Sequence, residues 1–134
     1  MARQQMKLQI ITPTRTVLDV DVESVILATK EGEMGVWYDH EPVVTLLDYK
    51  DVVYTENGEK KRATTFGGFA EVTKDKIMIL TDASELQDEI DIERAEKAKA
   101  RAEKRLEANS PDLDVLRAEI ALKKAIARIN AKSR

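Results

Sequence analysis

The C-terminal third of the chain has no glycine and a single proline, which limits the folds it can adopt. Residues 88–134 are rich in Ala, Lys, Arg and Glu, and no Gly occurs after Gly68. The one interruption is Asn109-Ser110-Pro111-Asp112. Because Ala and long unbranched side chains favour helices and Pro ends them, the stretch predicts two helices. About four residues remain for the turn, so the helices should form an antiparallel hairpin.

Both predicted helices have apolar stripes at helical spacing. The first stripe is Ala95, Ala98, Ala102 and Leu106; the second helix has two adjoining stripes, Leu113, Leu116, Ile120 and Val115, Ala118, Leu122, Ala125, Ile129. Ser110 is predicted to cap the second helix, with Pro111 at its first position. A buried methyl contributes under about 1 kcal/mol. We therefore expect the Ala-rich hairpin to dock weakly, so that a ligand or partner can shift it.

The residues before the hairpin are typical of short β-strands. Asn57-Gly58 between two β-type runs predicts a tight hairpin, and the phase change near Ser24 predicts a bulge or a passage between sheets. Eight to ten short strands with frequent turn signals indicate a sandwich or barrel. The predicted class is α+β, with a β-sandwich over residues 1–85 and an antiparallel helical hairpin over residues 86–134.

Composition excludes several functions. The chain has no Cys and one His, His40, so thiolate chemistry and a His-based metal site are excluded. No nucleophile with a base partner can be named, so no catalytic residue is assigned. From Leu86 onward there are 12 Lys and Arg against 10 Asp and Glu, too small an excess for nucleic acid. No signal peptide or membrane-length apolar run is recognised, which predicts a cytoplasmic protein.

Cations from both helices converge in an antiparallel hairpin. Arg94 and Arg101 are seven residues apart and share a face. On the second helix Arg117, Lys124 and Arg128 follow a seven-then-four spacing and also share a face. Two interpretations are open. In the first, anions compensate the cations. The anions are either a bound polyphosphate or the nearby carboxylates Glu85, Asp91 and Glu93. Alternatively, the residues form a solvated charged surface with local ion pairs.

Several segments in order resemble one family. They are Leu8-Gln9-Ile10-Ile11-Thr12-Pro13, Glu31-Gly32-Glu33-Met34-Gly35-Val36, His40-Glu41-Pro42, Gly67-Gly68-Phe69-Ala70-Glu71-Val72 and Ile90-Asp91-Ile92-Glu93-Arg94-Ala95. Over nearly its full length the chain resembles the epsilon subunits of bacterial F-type rotary ATP synthases. It departs at Val36-Trp37-Tyr38-Asp39-His40, where many members have a more apolar stretch.

This resemblance implies a sandwich of about ten strands, a helix-loop-helix and a non-catalytic role. The sandwich would bind the gamma subunit and the ring of c subunits, coupling rotation to catalysis elsewhere. The hairpin would lie folded down or extend toward the catalytic α/β subunits and inhibit ATP hydrolysis. The chain would be peripheral, at the cytoplasmic face of the bacterial membrane, and would require no cofactor. An alternative from another class is a free-standing ATP-binding sensor module.

The resemblance also implies site residues. Ile90-Asp91-Ile92-Glu93-Arg94-Ala95 matches a motif through which some members bind ATP as a regulatory ligand. The implied ATP contacts are Glu85, Ile90, Asp91, Arg94, Arg101, Lys124 and Arg128. Lys124 stands where ATP-binding members have Arg, and Lys keeps the charge but loses the bidentate fork.

Two mechanisms of inhibition stay open for the extended hairpin. In the first, basic residues of the second helix contact acidic segments of the catalytic subunits. The basic residues are Arg117, Lys123, Lys124 and Arg128. Alternatively, the stripe with Leu116, Ile120 and Ile126 could pack on gamma.

Overall fold

The computed structural model describes residues 4–133 and shows a two-sheet β-sandwich followed by two helices. The strands are β1 Met6–Ile11, β2 Thr16–Val22, β3 Ser24–Thr29, β4 Gly32–Trp37, β5 Val43–Leu46, β6 Tyr49–Glu56, β7 Glu59–Phe66, β8 Phe69–Val72 and β9 Lys76–Leu80; the helices are α1 Ile92–Ala108 and α2 Val115–Ser133. A 3-10 turn, Gln87–Glu89, lies between β9 and α1. The predicted α+β class is confirmed.

The strands divide into a five-stranded sheet, β2-β1-β9-β8-β5, and a four-stranded sheet, β4-β3-β6-β7. All neighbours are antiparallel except β1 and β9, which run parallel. β2 ends at Val22 in one sheet and β3 begins at Ser24 in the other. The phase change near Ser24 is therefore a passage between sheets, one of the two predicted possibilities.

The core lies between the two sheets and follows the alternation of each strand. Leu8 and Ile10 of β1 lie beside Ile77 and Ile79 of β9, and all four are fully buried. Burying each such side chain contributes about 1.5–3 kcal/mol before the loss of chain entropy. This core does not include the hairpin, so the sandwich has its own source of stability.

Glycine at positive φ is needed at several turns, and two of them bear on the fold. Asn57 and Gly58 have φ values of 52° and 80° and connect β6 to β7, which confirms the predicted Asn-Gly hairpin. Gly68 has φ 87°, and a Cβ atom there would lie 2.0 Å from the carbonyl oxygen of Leu80. Only glycine permits this close approach between the start of β8 and the end of β9.

The outer faces of the two sheets differ. On the four-stranded sheet, Phe66 and Tyr49 stack with ring centroids 6.2 Å apart, and α2 packs over β6 and β7. No described element packs over the outer face of the five-stranded sheet. Cross-strand pairing there aligns four apolar side chains, here termed the open apolar row: Leu46, Phe69, Leu80 and Ile11.

The hairpin forms as predicted, with α1 packed on α2 and α2 between α1 and the four-stranded sheet. Ala95 and Ala102 of α1 and Ala118 and Ala125 of α2 are buried, so small side chains line the contact. The expected broad apolar face of α2 is only partly covered, because Leu116 is 67% exposed.

The predicted cap of α2 is wrong. The helix begins at Val115, and the Asp114 carboxylate accepts a 3.1 Å hydrogen bond from the Arg117 amide. Ser110 instead accepts a 3.4 Å bond from the Asp112 amide within the connecting turn. Both side chains can cap a helix, and the longer turn places Asp114 at the helix start.

Candidate functional site

The segment between the sandwich and the hairpin is attached to the edge of β7. The Ser84 hydroxyl donates a 2.6 Å bond to the carbonyl of Thr64, and the Glu85 amide donates a 2.9 Å bond to the Thr64 hydroxyl. Leu86 forms an isolated bridge with Ala63. These contacts fix the Glu85 side chain beside the hairpin, and the predicted domain boundary after Glu85 falls within this attached segment.

Helix α1 begins directly after this segment. The Asp91 carboxylate accepts a 3.1 Å bond from the Arg94 amide and caps the helix. Ile90, the residue before this cap, is buried, with 4% of its surface exposed. The motif Ile90-Asp91-Ile92-Glu93-Arg94-Ala95 therefore anchors and starts the helix, and it places Arg94 in the first turn.

A cavity of about 360 Å³ opens between α1, the end of α2 and the attached segment. Its lining residues are Glu85, Glu89, Asp91, Arg94, Ala95, Ala98, Arg101 and Arg128. Among them, Ala95 and Ala98 have small side chains that leave room in the cavity. Three guanidinium groups and three carboxylates therefore line one cavity. The antiparallel hairpin predicted that arginines of the two helices would come together in this way.

The three arginines are not equally engaged. Arg128 Nε donates a 2.5 Å bond to Glu85 Oε1, and its guanidinium carbon lies 4.9 Å from the Phe66 ring centroid. The side chains of Arg94 and Arg101 form no ion pair or hydrogen bond to a side chain within residues 4–133. They are the cations of the cavity that are available to an added anion.

The remaining predicted site residues lie elsewhere on α2. Lys124 does not line the cavity; its Nζ atom lies 5.7 Å from the Phe66 ring centroid. Arg117 and Lys123 are exposed. The folded-down hairpin therefore leaves two of the four predicted inhibitory cations accessible and holds Lys124 and Arg128 over Phe66.

Sequence reasoning did not find Glu89, Arg15 or Phe66. Arg15 holds Glu89 with two bonds, 2.9 Å from Nη1 to Oε2 and 3.0 Å from Nη2 to Oε1. The hydrogen bond from Arg15 lowers the pKa of the Glu89 carboxyl, with a smaller effect from the Leu86 amide, and the same contact raises the pKa of Arg15. The residues are 74 positions apart, so no local spacing could indicate the pair.

The part of the chain that the structure describes has neither a metal-ion cluster nor a membrane-spanning helix. Residues 4–133 contain no group of three or more His, Cys, Asp or Glu side chains arranged to hold a metal ion. In the same part of the chain, no helix is both long and apolar enough to cross a membrane.

Comparison with known proteins identifies the family. The model "ATP synthase, Delta/Epsilon chain, beta-sandwich domain" matches residues 5–87, and "ATP synthase, Delta/Epsilon chain, long alpha-helix domain" matches residues 88–133. The chain belongs to the ATP synthase delta/epsilon family. The resemblance read from the sequence is thereby confirmed. This is a family of non-catalytic subunits, so the absence of an assigned catalytic set agrees with its membership.

Members of this family match over almost the full length. The ATP synthase epsilon chain of Natranaerobius thermophilus is 41% identical over 133 residues, covering 98% of this chain and 94% of its own. That of Alkaliphilus metalliredigens is 46% identical over 123 residues, 92% of each. Among solved structures, a chain of the Euglena gracilis mitochondrial ATP synthase, OSCP/F1/c-ring in rotational state 1, has TM-score 0.81 and 30% identity, covering 97% of this chain and 82% of that one.

Proposed function

We propose that this chain is a central-stalk subunit of a rotary ATP synthase that couples rotation between gamma and the c ring. The supporting observation is the match of both domains to the delta/epsilon family, with relatives aligned over 98% of the chain. As part of that complex, the chain lies peripherally at the cytoplasmic face of the bacterial membrane.

We assign the gamma subunit to the outer face of the five-stranded sheet. Leu46 is 61% exposed and Phe69 is 37% exposed within the open apolar row, and Val44 lies on the same face. A row of exposed apolar side chains costs free energy in water, so it favours a lasting protein partner. The four-stranded sheet cannot offer the same surface because α2 covers part of it.

The helical hairpin is the regulatory element in this proposal. Its contacts with the sandwich and the attached segment come mainly from α2. They are small side chains, Arg128 and Lys124 over Phe66, the Arg128–Glu85 bond and a 3.2 Å bond from Lys132 Nζ to the Gln87 carbonyl. Such a limited contact can be exchanged for one with another subunit at a cost of a few kcal/mol. Once extended, the hairpin inhibits ATP hydrolysis at the catalytic α/β subunits. The candidate contacts are the basic set Arg117, Lys123, Lys124 and Arg128, or the stripe with Leu116, Ile120 and Ile126.

We further propose that ATP stabilises the folded-down hairpin by binding in the 360 Å³ cavity. Arg94 and Arg101 face this space without a side-chain partner in the described chain and suit a polyphosphate. Arg128 and Glu85, which are bonded to each other, also line the cavity. Binding there joins α1 to α2 and to the segment attached to β7, so it opposes release of the hairpin.

Co-expression with gamma tests the stalk assignment. A stable complex with gamma is expected, whereas a chain that stays monomeric in its presence supports the free-standing sensor instead.

Charge reversal of Lys123 and Lys124 tests how the extended hairpin inhibits ATP hydrolysis. Unchanged inhibition would exclude the basic contacts and leave the apolar stripe.

Calorimetric titration of the isolated chain with ATP tests the nucleotide site. Arg94→Ala should weaken binding, because it removes an unpaired guanidinium from the cavity. Lys97→Ala removes an exposed cation from the same helix outside the cavity and should bind as the original chain does. Equal affinity for the original chain and Arg94→Ala would exclude the site.

A further inference from the structure

Glu89 lines the candidate nucleotide cavity, but its carboxylate is held from outside. Arg15 lies in the turn between β1 and β2 and is not among the cavity-lining residues. Its Nη1 and Nη2 atoms bond both Glu89 oxygens at 2.9 and 3.0 Å, and Nη2 also bonds the Ser84 carbonyl at 3.2 Å. A bidentate guanidinium–carboxylate pair fixes the direction of both groups.

The charges of the cavity show what this pair does. Glu85 is bonded to Arg128, and Asp91 is occupied with the α1 amide of Arg94. Glu89 is the one remaining carboxylate of the lining. The Leu86 amide also donates a 2.8 Å bond to Glu89 Oε1, but this neutral donor leaves the negative charge in place, so without Arg15 that charge would act on the two unpaired guanidinium groups of α1. A carboxylate there would repel an incoming phosphate and compete with it for the same donors.

We propose that Arg15 is a positioning residue of the anion site, which acts by neutralising Glu89 and holding its carboxylate away from Arg94 and Arg101. The proposal rests on the proposed nucleotide site and names a residue of the sandwich that controls it. It also links the sandwich to ligand binding on the hairpin, because Arg15 belongs to neither helix.

Three variants of the full chain test this role: Arg15→Gln, Glu89→Gln and the double variant. Each is titrated by calorimetry with ATP and, separately, with inorganic triphosphate, which contains the phosphates alone. Arg15→Gln should weaken both ligands about two- to fivefold, the usual effect of one exposed charge pair. Glu89→Gln alone should bind as tightly as the original chain or more tightly. The double variant should regain the affinity lost in Arg15→Gln, because the repelling carboxylate is gone.

A matched control separates the local effect from net charge. Lys7→Gln removes the same charge from a 3.3 Å pair with Asp19 on the five-stranded sheet, outside the cavity, and should leave affinity unchanged. If Glu89→Gln weakens binding as much as Arg15→Gln, the pair has only a structural role in the fold and the proposal is overturned. Unchanged affinity in Arg15→Gln overturns it too. Failure of the original chain to bind either ligand overturns the nucleotide site itself, and this inference with it.

Discussion

The guanidinium carbon of Arg128 lies 4.9 Å above the ring centroid of Phe66, on the outer face of the four-stranded sheet. Lys124, one helical turn earlier, lies over the same ring at 5.7 Å. Phe66 is 1% exposed and is not part of the core cluster between the sheets. Its ring is therefore a docking surface for the hairpin more than a core component of the sandwich.

Phe66→Leu should loosen the hairpin while the sandwich stays folded. The change removes two cation–π contacts, each about 0.5–2 kcal/mol. Hydrogen exchange should accelerate in α2 and remain slow in β1 and β9. Phe69→Leu makes the same change in the open apolar row and should leave exchange of α2 unaltered. Equal protection of α2 in the original chain and Phe66→Leu would contradict the role given to this ring.

Arg101 and Lys124 should differ in their effect on ATP affinity, although the family resemblance implies both. Arg101→Gln removes an unpaired cation of the cavity and should weaken ATP binding about tenfold or more. Lys124→Gln should weaken it less than about threefold, because Lys124 lies over Phe66 outside the lining. Calorimetry on the two variants gives the comparison. A larger loss in Lys124→Gln would mean that the lysine turns into the cavity when ATP binds.

The Arg15–Glu89 pair should contribute stability only while Glu89 is ionised. The pKa of Glu89 is lowered in the folded chain, so its contribution is complete above the ordinary Glu pKa. It is lost as the pH falls through the lower, folded-state pKa. Urea unfolding at neutral pH should show Glu89→Gln less stable by up to about 1 kcal/mol, since the pair is partly exposed. The difference should shrink as the pH falls below the ordinary Glu pKa and vanish once Glu89 is protonated in the folded chain, and a gap that persists in that acidic range would show that the charge is not responsible.

Leu46→Asp should weaken association with gamma and leave the isolated chain as stable as before. Leu46 is 61% exposed, so the substitution costs little in the free protein, whereas burial of the carboxylate at an interface is costly. Asn57→Asp adds the same charge in the β6–β7 turn and should not affect the complex. Co-purification of both variants with gamma measures the effect. Retention of Leu46→Asp as strongly as Asn57→Asp would exclude this face as the gamma contact.

Gly68→Ala should destabilise the sandwich by about 2 kcal/mol or more. The added methyl would meet the carbonyl oxygen of Leu80 at 2.0 Å, and φ is 87°. Gly32→Ala also places Ala at positive φ, 126°, but meets nothing within 4 Å. The difference between their urea midpoints isolates the close contact from the backbone strain. Similar midpoints would show that β8 and β9 can move apart at this point without loss of stability.

Local patterns predicted most of the architecture. Helical spacing identified both helices and placed Arg94 and Arg101 on one face, because residues seven apart share a helix face whatever the tertiary structure. The short turn predicted an antiparallel hairpin, which brings Arg128 of the second helix to the same cavity. The Asn57-Gly58 turn was equally local. The start of α2 was misplaced because Ser110 and Asp114 are both good caps, and their competition is decided by the length of the turn.

Contacts between residues distant in the sequence could not be predicted from local patterns. Arg15 meets Glu89 only because the sandwich brings the β1–β2 turn beside the segment after β9. Phe66 resembles any apolar residue of a β-strand, and only its position on the outer face distinguishes it. The position of Lys124 off the cavity likewise depends on how α2 is rotated against the sheet, which periodicity alone does not determine.

The parallel pairing of β1 with β9 has a consequence for the order in which the protein is made. β1 leaves the ribosome first, yet one of its two neighbours is Lys76–Leu80, so its sheet cannot close until that strand has been synthesised. Contacts so distant in sequence form slowly. The two helices emerge last and join a sandwich whose strands are already complete. Newly made protein can therefore form the proposed gamma contact, the open apolar row, before the helical hairpin has docked.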